Sequence, residues 1–436
     1  MAIALSRVPF LDAGYGVNID AWRIARVARD IAQTGQYEVS RFPGYPVQEV
    51  VSSWLWRGGP IALNALSALF SVLASVAIWR IGRRLSCRDS LLLAAAFAFT
   101  PVVFINSVTA KDYVWAIAFV LLAFWAALAE RPIVSGLLLG LAVGCRITSG
   151  AMLIPLALVL GHEKSRAFRW REAGWLTLTT LLASAICFLP VWWRYGLAFF
   201  TFYENHTQPD LAMIMTRATI EPWGAVGLIS LTSGAIAAYF MREKKIDVSL
   251  CKPANSMILP ALWLTIFLYV IAYVILPDQA GYLLPVVPAF LLIAARFIPR
   301  RILQPACIGL LFSAWIDFSP AGIRPGAIIA DHRERERSLR DVTRFVRFTE
   351  EVLPGRNVVV VGGWQPMIDV LERKEKLHND YRGILLLQEM QESQKAGSRV
   401  AYTGEMIRAF NFHVTGVDLA QNGAVDLRRL RIAMSR

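Results

Sequence analysis

Residues 91–129 read LLLAAAFAFTPVVFINSVTAKDYVWAIAFVLLAFWAALA, and Lys111 and Asp112 are their only charged residues. Two apolar runs, at 88–106 and 112–129, meet at this charged pair. Because a helix rises 1.5 Å per residue, about 20 apolar residues cross the ~30 Å hydrocarbon core of a bilayer. The stretch therefore predicts two membrane-spanning helices with a charged turn between them.

Eight further apolar runs complete the pattern. Of the 436 residues, 56% are hydrophobic and only 18% are charged, and the mean hydropathy is +0.47. A soluble domain is usually about 45–50% apolar and about 25% charged, so the excess apolar surface is expected to face lipid. The sequence predicts an all-α polytopic membrane protein with about ten transmembrane helices, the other eight at 59–80, 132–147, 148–162, 173–193, 222–241, 256–276, 281–298 and 303–319.

The basic residues between these runs are unevenly distributed. Alternate loops hold sixteen Lys and Arg residues in one set and four in the other, which are Lys111, Arg146, Arg194 and Arg217. Because cytoplasmic loops collect basic residues, the first set is predicted to lie inside and the second outside. This orientation, in an inner (plasma) membrane, places both the N-terminal segment and the C-terminal domain on the outer side.

Three regions are predicted from this pattern. Residues 1–58 form an outer loop with amphipathic surface helices, because apolar residues recur at helical spacing from Ile19 to Ala32. Residues 59–320 form the transmembrane bundle, and residues 321–436 form a small soluble α/β domain. Residues 1–10 are expected to be the tail of a further helix, since an outer segment of this length needs something to carry it across.

The soluble domain is predicted from its own short patterns. Residues 331–352 read DHRERERSLRDVTRFVRFTEEV, which is typical of a charged amphipathic helix. Apolar runs within 357–361, 384–388 and 398–404 predict strands. A helix followed by short strands indicates an α/β domain.

The formal net charge of +13 raises the question of nucleic-acid binding. A nucleic-acid interface usually shows a basic stripe interleaved with aromatic residues, and no such stripe is seen in this sequence. Basic loops lying against anionic lipid explain the charge better. The expected partners are therefore membrane lipids and lipid-borne substrates, with no nucleic acid.

Two acidic residues are candidate catalytic groups. Asp20 lies near the start of the predicted surface helix, where the helix dipole favours an ionised carboxylate, so it could act as a general base or help hold a metal. An ordinary acid at a helix N-terminus explains Asp20 as well. Asp112 lies at the outer end of an apolar run, where ionisable groups are functional candidates, although an interfacial salt bridge or cap is an equal explanation.

Five residues are candidate substrate-binding groups. Arg146 follows a Gly-rich span, and the planar fork of a guanidinium can bind two phosphate oxygens. Arg41 and Tyr45 lie on the proline-braced turn RFPGYP, where the cation could meet a phosphate and the ring could stack on a sugar. Lys111 neighbours Asp112, and Tyr282 lies in an outer loop. There are competing explanations: Arg146 could snorkel to the interface, RFPGYP could be a purely structural turn, and Tyr282 could belong to an aromatic belt.

Three segments of the sequence together resemble the integral-membrane glycosyltransferases of the C superfamily, which include the protein O-mannosyltransferases and the lipid A aminoarabinose transferase. The first is the outer loop with NIDAWR at 18–23 and TGQYEVSRFPGYP at 34–46. The second is GLAVGCRITSGAMLIP at 140–155, a Gly-rich helix that bears an Arg. The third is LPDQAGYLLPVVPAFLLI at 276–293, a late outer loop before a Pro-containing span. The resemblance covers residues 11–300.

The resemblance implies a sugar donor linked to polyprenyl phosphate and an acceptor that is a protein, lipid or glycan. It implies that Asp20 matches the essential acid of the first outer loop and that Asp112 corresponds to a second acid. The activity expected is hexosyl or pentosyl transfer at the outer face of the cell envelope membrane. Some relatives have a pair of acids where this chain has Ile19-Asp20, so a divalent metal is a possible cofactor and not a required one.

Two other functions remain open from the sequence. A transporter or flippase for a lipid-linked or small polar solute would also be polytopic, but such proteins tend to show internal repeats and broken helices at mid-membrane. This sequence shows no clear repeat, and its polar candidates cluster at the outer face. A non-catalytic scaffold of envelope assembly would leave Asp20 and Asp112 without a chemical role.

Overall fold

The structure is a computed structural model, and it describes residues 1–161, 169–196, 209–240, 256–319, 322–371, 377–383, 387–402 and 424–427. The chain divides into two compact units. The first comprises residues 1–15 and 27–333, and the second comprises residues 16–26 and 334–436. The boundaries predicted from the sequence are at residues 58 and 320. In the structure, the start of the N-terminal surface helix belongs to the second unit.

The first unit is built mainly of helices. Their bounds, in chain order, are α1 Ala2–Arg7, α2 Ile19–Thr34, α3 Pro46–Leu55, α4 Gly59–Arg84, α5 Ser90–Phe99, α6 Pro101–Ser107, α7 Tyr113–Leu128, α8 Pro132–Cys145, α9 Leu153–Gly161, α10 Trp170–Tyr195, α11 Leu211–Phe240, α12 Ile258–Ile275, α13 Val286–Phe297 and α14 Arg300–Ser313. Helix α2 begins in the second unit and ends in the first.

Four helical segments of the described chain are long and apolar enough to cross a membrane, at Pro46–Arg84, Trp170–Tyr195, Leu211–Phe240 and Ile258–Ile275. Helices α5 and α6 pass the same test together but are bent by 67° at Thr100, which would make a fifth span. Each predicted apolar run contains a helix, yet several of these helices have only 10–17 residues. The multi-pass character is confirmed, whereas the count of about ten spans is not.

Small residues bring α8 and α10 into close contact. Gly136, Gly140 and Gly144 repeat every four residues and so lie on one face of α8. A Cβ atom at Gly140 would come 2.3 Å from Ala183 Cβ, and one at Gly144 would come 2.8 Å from Cys187 Cβ. Packing this close needs glycine at the interface, as in many membrane helix pairs.

The last predicted span ends earlier than the sequence suggests. The sequence predicts one helix over 303–319, but α14 ends at Ser313 and residues 316–319 form strand β1 (Ile316–Ser319). Strand β1 pairs antiparallel with β2 (Gly322–Pro325). Asp317 Oδ1 accepts the Ala225 N–H at 3.2 Å, just after Gly224 interrupts α11 with a positive φ of 69°. The carboxylate thus pairs with a backbone amide that the kink releases, and apolar composition alone could not reveal this.

The second unit contains a parallel four-stranded sheet. Helix α15 (Ala327–Val352) begins in the first unit and ends in the second. It is followed by β3 (Val358–Val360), α16 (Gln365–Leu371), β4 (Asp380–Arg382), α17 (Leu387–Lys395), β5 (Val400–Tyr402) and β6 (Val425–Asp426). The strand order is β4-β3-β5-β6, with Val358 and Val360 packed on Met390. The α/β prediction for this region is therefore confirmed in its class. The strand predicted at 384–388 is wrong at Leu387 and Gln388, which begin α17, and 384–386 lie outside the described residues.

Candidate active site

Three connections between helices carry charged side chains that are candidates for the site. Asp112 is the residue before α7, and Arg146 follows α8 with an extended backbone at φ −160° and ψ 114°. Arg41 lies on the turn between α2 and α3, whose Gly44 N–H donates to the Arg41 carbonyl at 2.8 Å. Asp112 and Arg146 thus lie directly at the ends of apolar helices, and Arg41 lies in the connection between two helices.

Asp112 is the centre of this cluster and is fully buried. Its Oδ1 accepts a hydrogen bond from Arg41 Nη2 at 3.1 Å, and its Oδ2 accepts one from Arg146 Nη1. The Arg146 side chain is 9% exposed and that of Arg41 is 19% exposed. Two guanidinium groups therefore converge on one carboxylate in a largely dry environment, where charge-assisted hydrogen bonds are strong.

Aromatic rings hold both guanidinium groups in place. The Arg146 guanidinium lies 4.0 Å from the Tyr113 ring centroid and 4.4 Å from that of Tyr282, so it is enclosed by two π faces. Gly281 makes this possible, since a Cβ atom there would come 2.7 Å from the Tyr113 ring. The Arg41 guanidinium lies 4.2 Å from the Tyr45 centroid.

Lys111 joins the same cluster through a glutamine. Gln279 Oε1 accepts hydrogen bonds from Lys111 Nζ at 3.1 Å and from the Tyr113 hydroxyl at 3.0 Å. Burial raises the pKa of the nearby Tyr45 to about 12, despite the opposing effect of Arg41. The Tyr45 hydroxyl, like that of an ordinary tyrosine, is protonated at neutral pH and can donate a hydrogen bond.

The structure thus brings together six of the seven residues that the sequence singles out, Arg41, Tyr45, Lys111, Asp112, Arg146 and Tyr282. Asp20 lies in the second unit, in the first turn of α2, and is 7% exposed. Its N–H donates to Asn18 Oδ1 at 2.9 Å, and its Oδ1 lies 3.4 Å from Arg23 Nη1.

Sequence reasoning missed three residues of this region. Tyr113 and Gln279 lie in segments that the sequence highlights, but their contacts join positions 166 residues apart. Glu49 is fully buried in α3 and accepts from Tyr37, Ser40 and Tyr45 on the turn that carries Arg41. A carboxylate inside PVQEVVSSWL is the signal that could have found it, because ionisable groups in apolar segments are functional candidates.

A metal site finds no support in the grouping of the described residues. Nowhere in this part of the chain do three His, Cys, Asp or Glu side chains come together as metal ligands do. The donors at the cluster are mainly cationic and phenolic groups, which suit an anion.

The family comparison covers more than half of the chain. The sequence model of glycosyltransferase family 87 matches residues 50–299, which include the end of α3, all of α4 to α13, and all of the cluster except Arg41 and Tyr45. No protein with curated annotation matches the chain.

The chain is also similar to solved structures. ArnT from Cupriavidus metallidurans in the apo state has a TM-score of 0.55 and 12% identity, with 98% of this chain and 89% of that chain covered. ArnT from Cupriavidus metallidurans bound to undecaprenyl phosphate has a TM-score of 0.49 and 13% identity, with 81% of this chain and 64% of that chain covered. The Archaeoglobus fulgidus oligosaccharyltransferase complex with Zn and sulfate has a TM-score of 0.46 and 13% identity, with 87% of this chain and 61% of that chain covered.

The likeness to apo ArnT shows a common fold, and the resemblance of the sequence to the C superfamily is confirmed. The family match favours a transferase over the transporter that the sequence left open. The chain belongs to glycosyltransferase family 87, and it is a multi-pass membrane protein.

Proposed function

We propose that this glycosyltransferase moves a sugar from a polyprenyl-phosphate donor to an acceptor at the outer face of the membrane. The observation that carries the proposal is the convergence of Arg41 and Arg146 on Asp112. A guanidinium matches two phosphate oxygens at once, and its attraction to an anion is strong where water is excluded. Lys111, next to Asp112 in the chain, adds a third cation to the same region.

The position of the cluster suits a lipid-borne phosphate. Asp112 and Arg146 lie at the ends of the apolar helices α7 and α8. A polyprenyl chain remains in the hydrocarbon, so its phosphate is held at the boundary between the apolar core and water. The distribution of basic loop residues supports the outer boundary as the location.

The charge change during the reaction also suits two guanidinium groups. A sugar on polyprenyl phosphate is a phosphodiester with one negative charge, and the departing polyprenyl phosphate is a monoester that approaches two. Groups that bind the more highly charged phosphate more tightly stabilise the transition state more than the ground state. Asp112 then serves to orient Arg41 and Arg146, because both of its oxygens already accept hydrogen bonds from them.

The proposed transfer is a single displacement. The acceptor hydroxyl or amine attacks the anomeric carbon and forms the new glycosidic bond, while the bond from that carbon to the phosphate oxygen breaks. The bonding electron pair leaves with the polyprenyl phosphate. Asp20 accepts the proton of the acceptor as general base, in line with the essential acid that the superfamily resemblance implies.

The test is direct binding of undecaprenyl phosphate to the purified protein in detergent, with undecaprenol as the comparison that lacks the phosphate. Loss of a hydrogen-bonded charge costs roughly 1.5–3 kcal/mol, so we expect Arg146→Ala to weaken binding of the phosphate by roughly 10–100-fold. Binding of undecaprenol should not change.

Arg300→Ala is the matched control for this test. Arg300 pairs with Asp89 at 2.9 Å, its side chain is 51% exposed, and it belongs to a predicted inner loop. Its removal should leave the affinity for undecaprenyl phosphate unchanged. Equal binding of the phosphate and the alcohol by the wild-type protein would contradict a lipid-phosphate donor.

A further inference from the structure

Glu49 is a buried carboxylate with three hydrogen-bond donors from one turn of chain. The residue is 0% exposed. Its Oε1 accepts the Ser40 N–H at 2.7 Å, and its Oε2 accepts the Tyr45 N–H at 3.1 Å and the Tyr37 hydroxyl. All three donors lie in the segment 37–45, which has no regular secondary structure.

The turn that Glu49 binds is the one that carries Arg41. Its opposite side is held by α10, where the Tyr195 hydroxyl accepts the Val39 N–H at 3.3 Å and the Tyr195 ring packs edge-on against Phe42. Arg41 then reaches Asp112 Oδ1 at 3.1 Å. The position of the Arg41 guanidinium is therefore set by contacts of its turn as well as by its own ion pair.

Helix capping explains only part of this arrangement. Tyr45 is the N-cap of α3, so its bond to Glu49 is a bond within the helix end. The bonds from Ser40 and Tyr37 reach out of the helix, across nine and twelve residues. Burying a carboxylate is costly unless donors replace its water, and an apolar side chain here would leave these polar groups unsatisfied. The arrangement fits a carboxylate that orders the turn.

We propose that Glu49 is a positioning residue that fixes the 37–45 turn so that Arg41 can bind the donor phosphate. The inference rests on the proposed function, since Arg41 is assigned there to the phosphate. Glu49 itself touches neither donor nor acceptor and acts only through the turn. Its loss should therefore have the same effect as a misplaced Arg41.

A double-mutant cycle with undecaprenyl phosphate tests this coupling. A glutamine has one acceptor oxygen and turns its amide group towards a donor, so Glu49→Gln should loosen the turn and weaken binding by about 10-fold. In an Arg41→Ala background the same change should weaken binding no further, because the residue it positions is gone. Additive losses would contradict a role through Arg41. A merely structural role would lower the unfolding temperature without this coupling.

Glu38→Gln is the matched control, since Glu38 lies in the same turn and makes none of the three bonds. Tyr37→Phe is a milder variant that keeps the buried carboxylate and removes one donor, and it should weaken binding by less than Glu49→Gln does. Full affinity in both Tyr37→Phe and Glu49→Gln would overturn the proposal.

Hydrogen exchange separates this proposal from the donor assignment, because it needs no lipid. In the full-length protein, amides in a peptide covering 38–46 should exchange faster in Glu49→Gln and not in Glu38→Gln. Unchanged exchange would overturn the positioning role even if undecaprenyl phosphate binds. Suppose that Glu49→Gln exchanges faster but the wild-type protein does not bind undecaprenyl phosphate. That result would contradict the donor assignment, and Glu49 would remain the residue that orders the turn.

Discussion

Asp112 and Asp20 are both buried acids, and we assign them different roles. Asp112 is fully buried and both of its oxygens accept hydrogen bonds from guanidinium groups. A general base needs a lone pair that the acceptor proton can reach. Asp112 is therefore suited to orienting two cations, and Asp20 stays the proposed base because the superfamily resemblance implies an essential acid there.

Asp20→Asn tests that assignment. The change keeps the size of the side chain and removes its basicity, so the rate of sugar transfer should fall by ~10²–10⁴-fold, the usual contribution of a positioned base. Binding of undecaprenyl phosphate should stay the same, since the phosphate is assigned to Arg41 and Arg146. The measurement is the rate of transfer from a radiolabelled polyprenyl-phosphate sugar.

Asp30→Asn serves as the control on the same helix, where Asp30 pairs with Arg29 at 2.9 Å. It should retain near-normal transfer. A folded Asp20→Asn protein that transfers sugar as fast as wild type would remove Asp20 from the mechanism.

The sequence indicates single residues better than it indicates their partners. Arg41, Asp112 and Arg146 stand out because charge is rare beside long apolar runs. Tyr113 does not, because a tyrosine at the end of a span is also a normal interfacial residue. Its contact with Gln279 depends on how distant helices pack, and spacing along the chain carries no information about that contact.

At the scale of elements, the packing of α8 on α10 determines where Arg146 projects. Arg146 directly follows α8, so any shift of this helix moves its guanidinium. Gly136, Gly140 and Gly144 form the contact face, and a Cβ atom at Gly140 would also come 3.1 Å from the Thr180 carbonyl oxygen. Backbone atoms cannot move aside as the end of a side chain can.

Gly140→Ala should therefore destabilise the protein by about 1–3 kcal/mol, the usual cost of overpacking. It should also weaken undecaprenyl phosphate binding by displacing Arg146. The measurements are thermal unfolding in detergent and lipid binding. Gly174→Ala on α10 is the control, since nothing lies within 4 Å of a Cβ atom there and alanine favours a helix. Equal unfolding temperatures for the two variants would contradict the close contact of α8 and α10.

The helices themselves are largely predictable from apolar runs, but their lengths are not. The run 88–106 reads as one span, whereas Thr100 and Pro101 divide it into α5 and α6. Proline lacks the N–H that would continue the first helix and disfavours a helical residue before it. Hydropathy averages over such a break, so it does not reveal that this segment is bent.

At the scale of the whole molecule, contacts within the first unit follow the predicted alternation of loops. Arg300 pairs with Asp89 at 2.9 Å and Arg169 with Glu130 at 3.5 Å, and all four lie at predicted inner turns. Lys111 with Gln279 at 3.1 Å and Arg217 with the Pro277 carbonyl at 3.1 Å join predicted outer loops. The alternation is thus supported, while the side of the membrane stays a prediction.

Single-cysteine labelling in a background without native cysteines tests which loops lie outside the membrane. Exposed positions Gln33, Asp210 and Lys395 should react with an impermeant reagent added outside intact cells, because the basic loops favour the opposite side of the membrane. Ser86 and Arg131, also exposed, should react only after permeabilisation. Labelling of position 395 from the cytoplasm alone would reverse the orientation and move the proposed site with it.

The most direct test of the account is sugar transfer by the purified protein in lipid nanodiscs. Radiolabelled hexoses and pentoses on undecaprenyl phosphate would be compared with the same sugars on nucleotides, with a membrane extract as the source of acceptor. The account predicts transfer from at least one lipid-linked donor, loss of that transfer in Arg146→Ala and its retention in Arg300→Ala. Transfer from a nucleotide sugar alone, or equal transfer by Arg146→Ala and the wild-type protein, would contradict it.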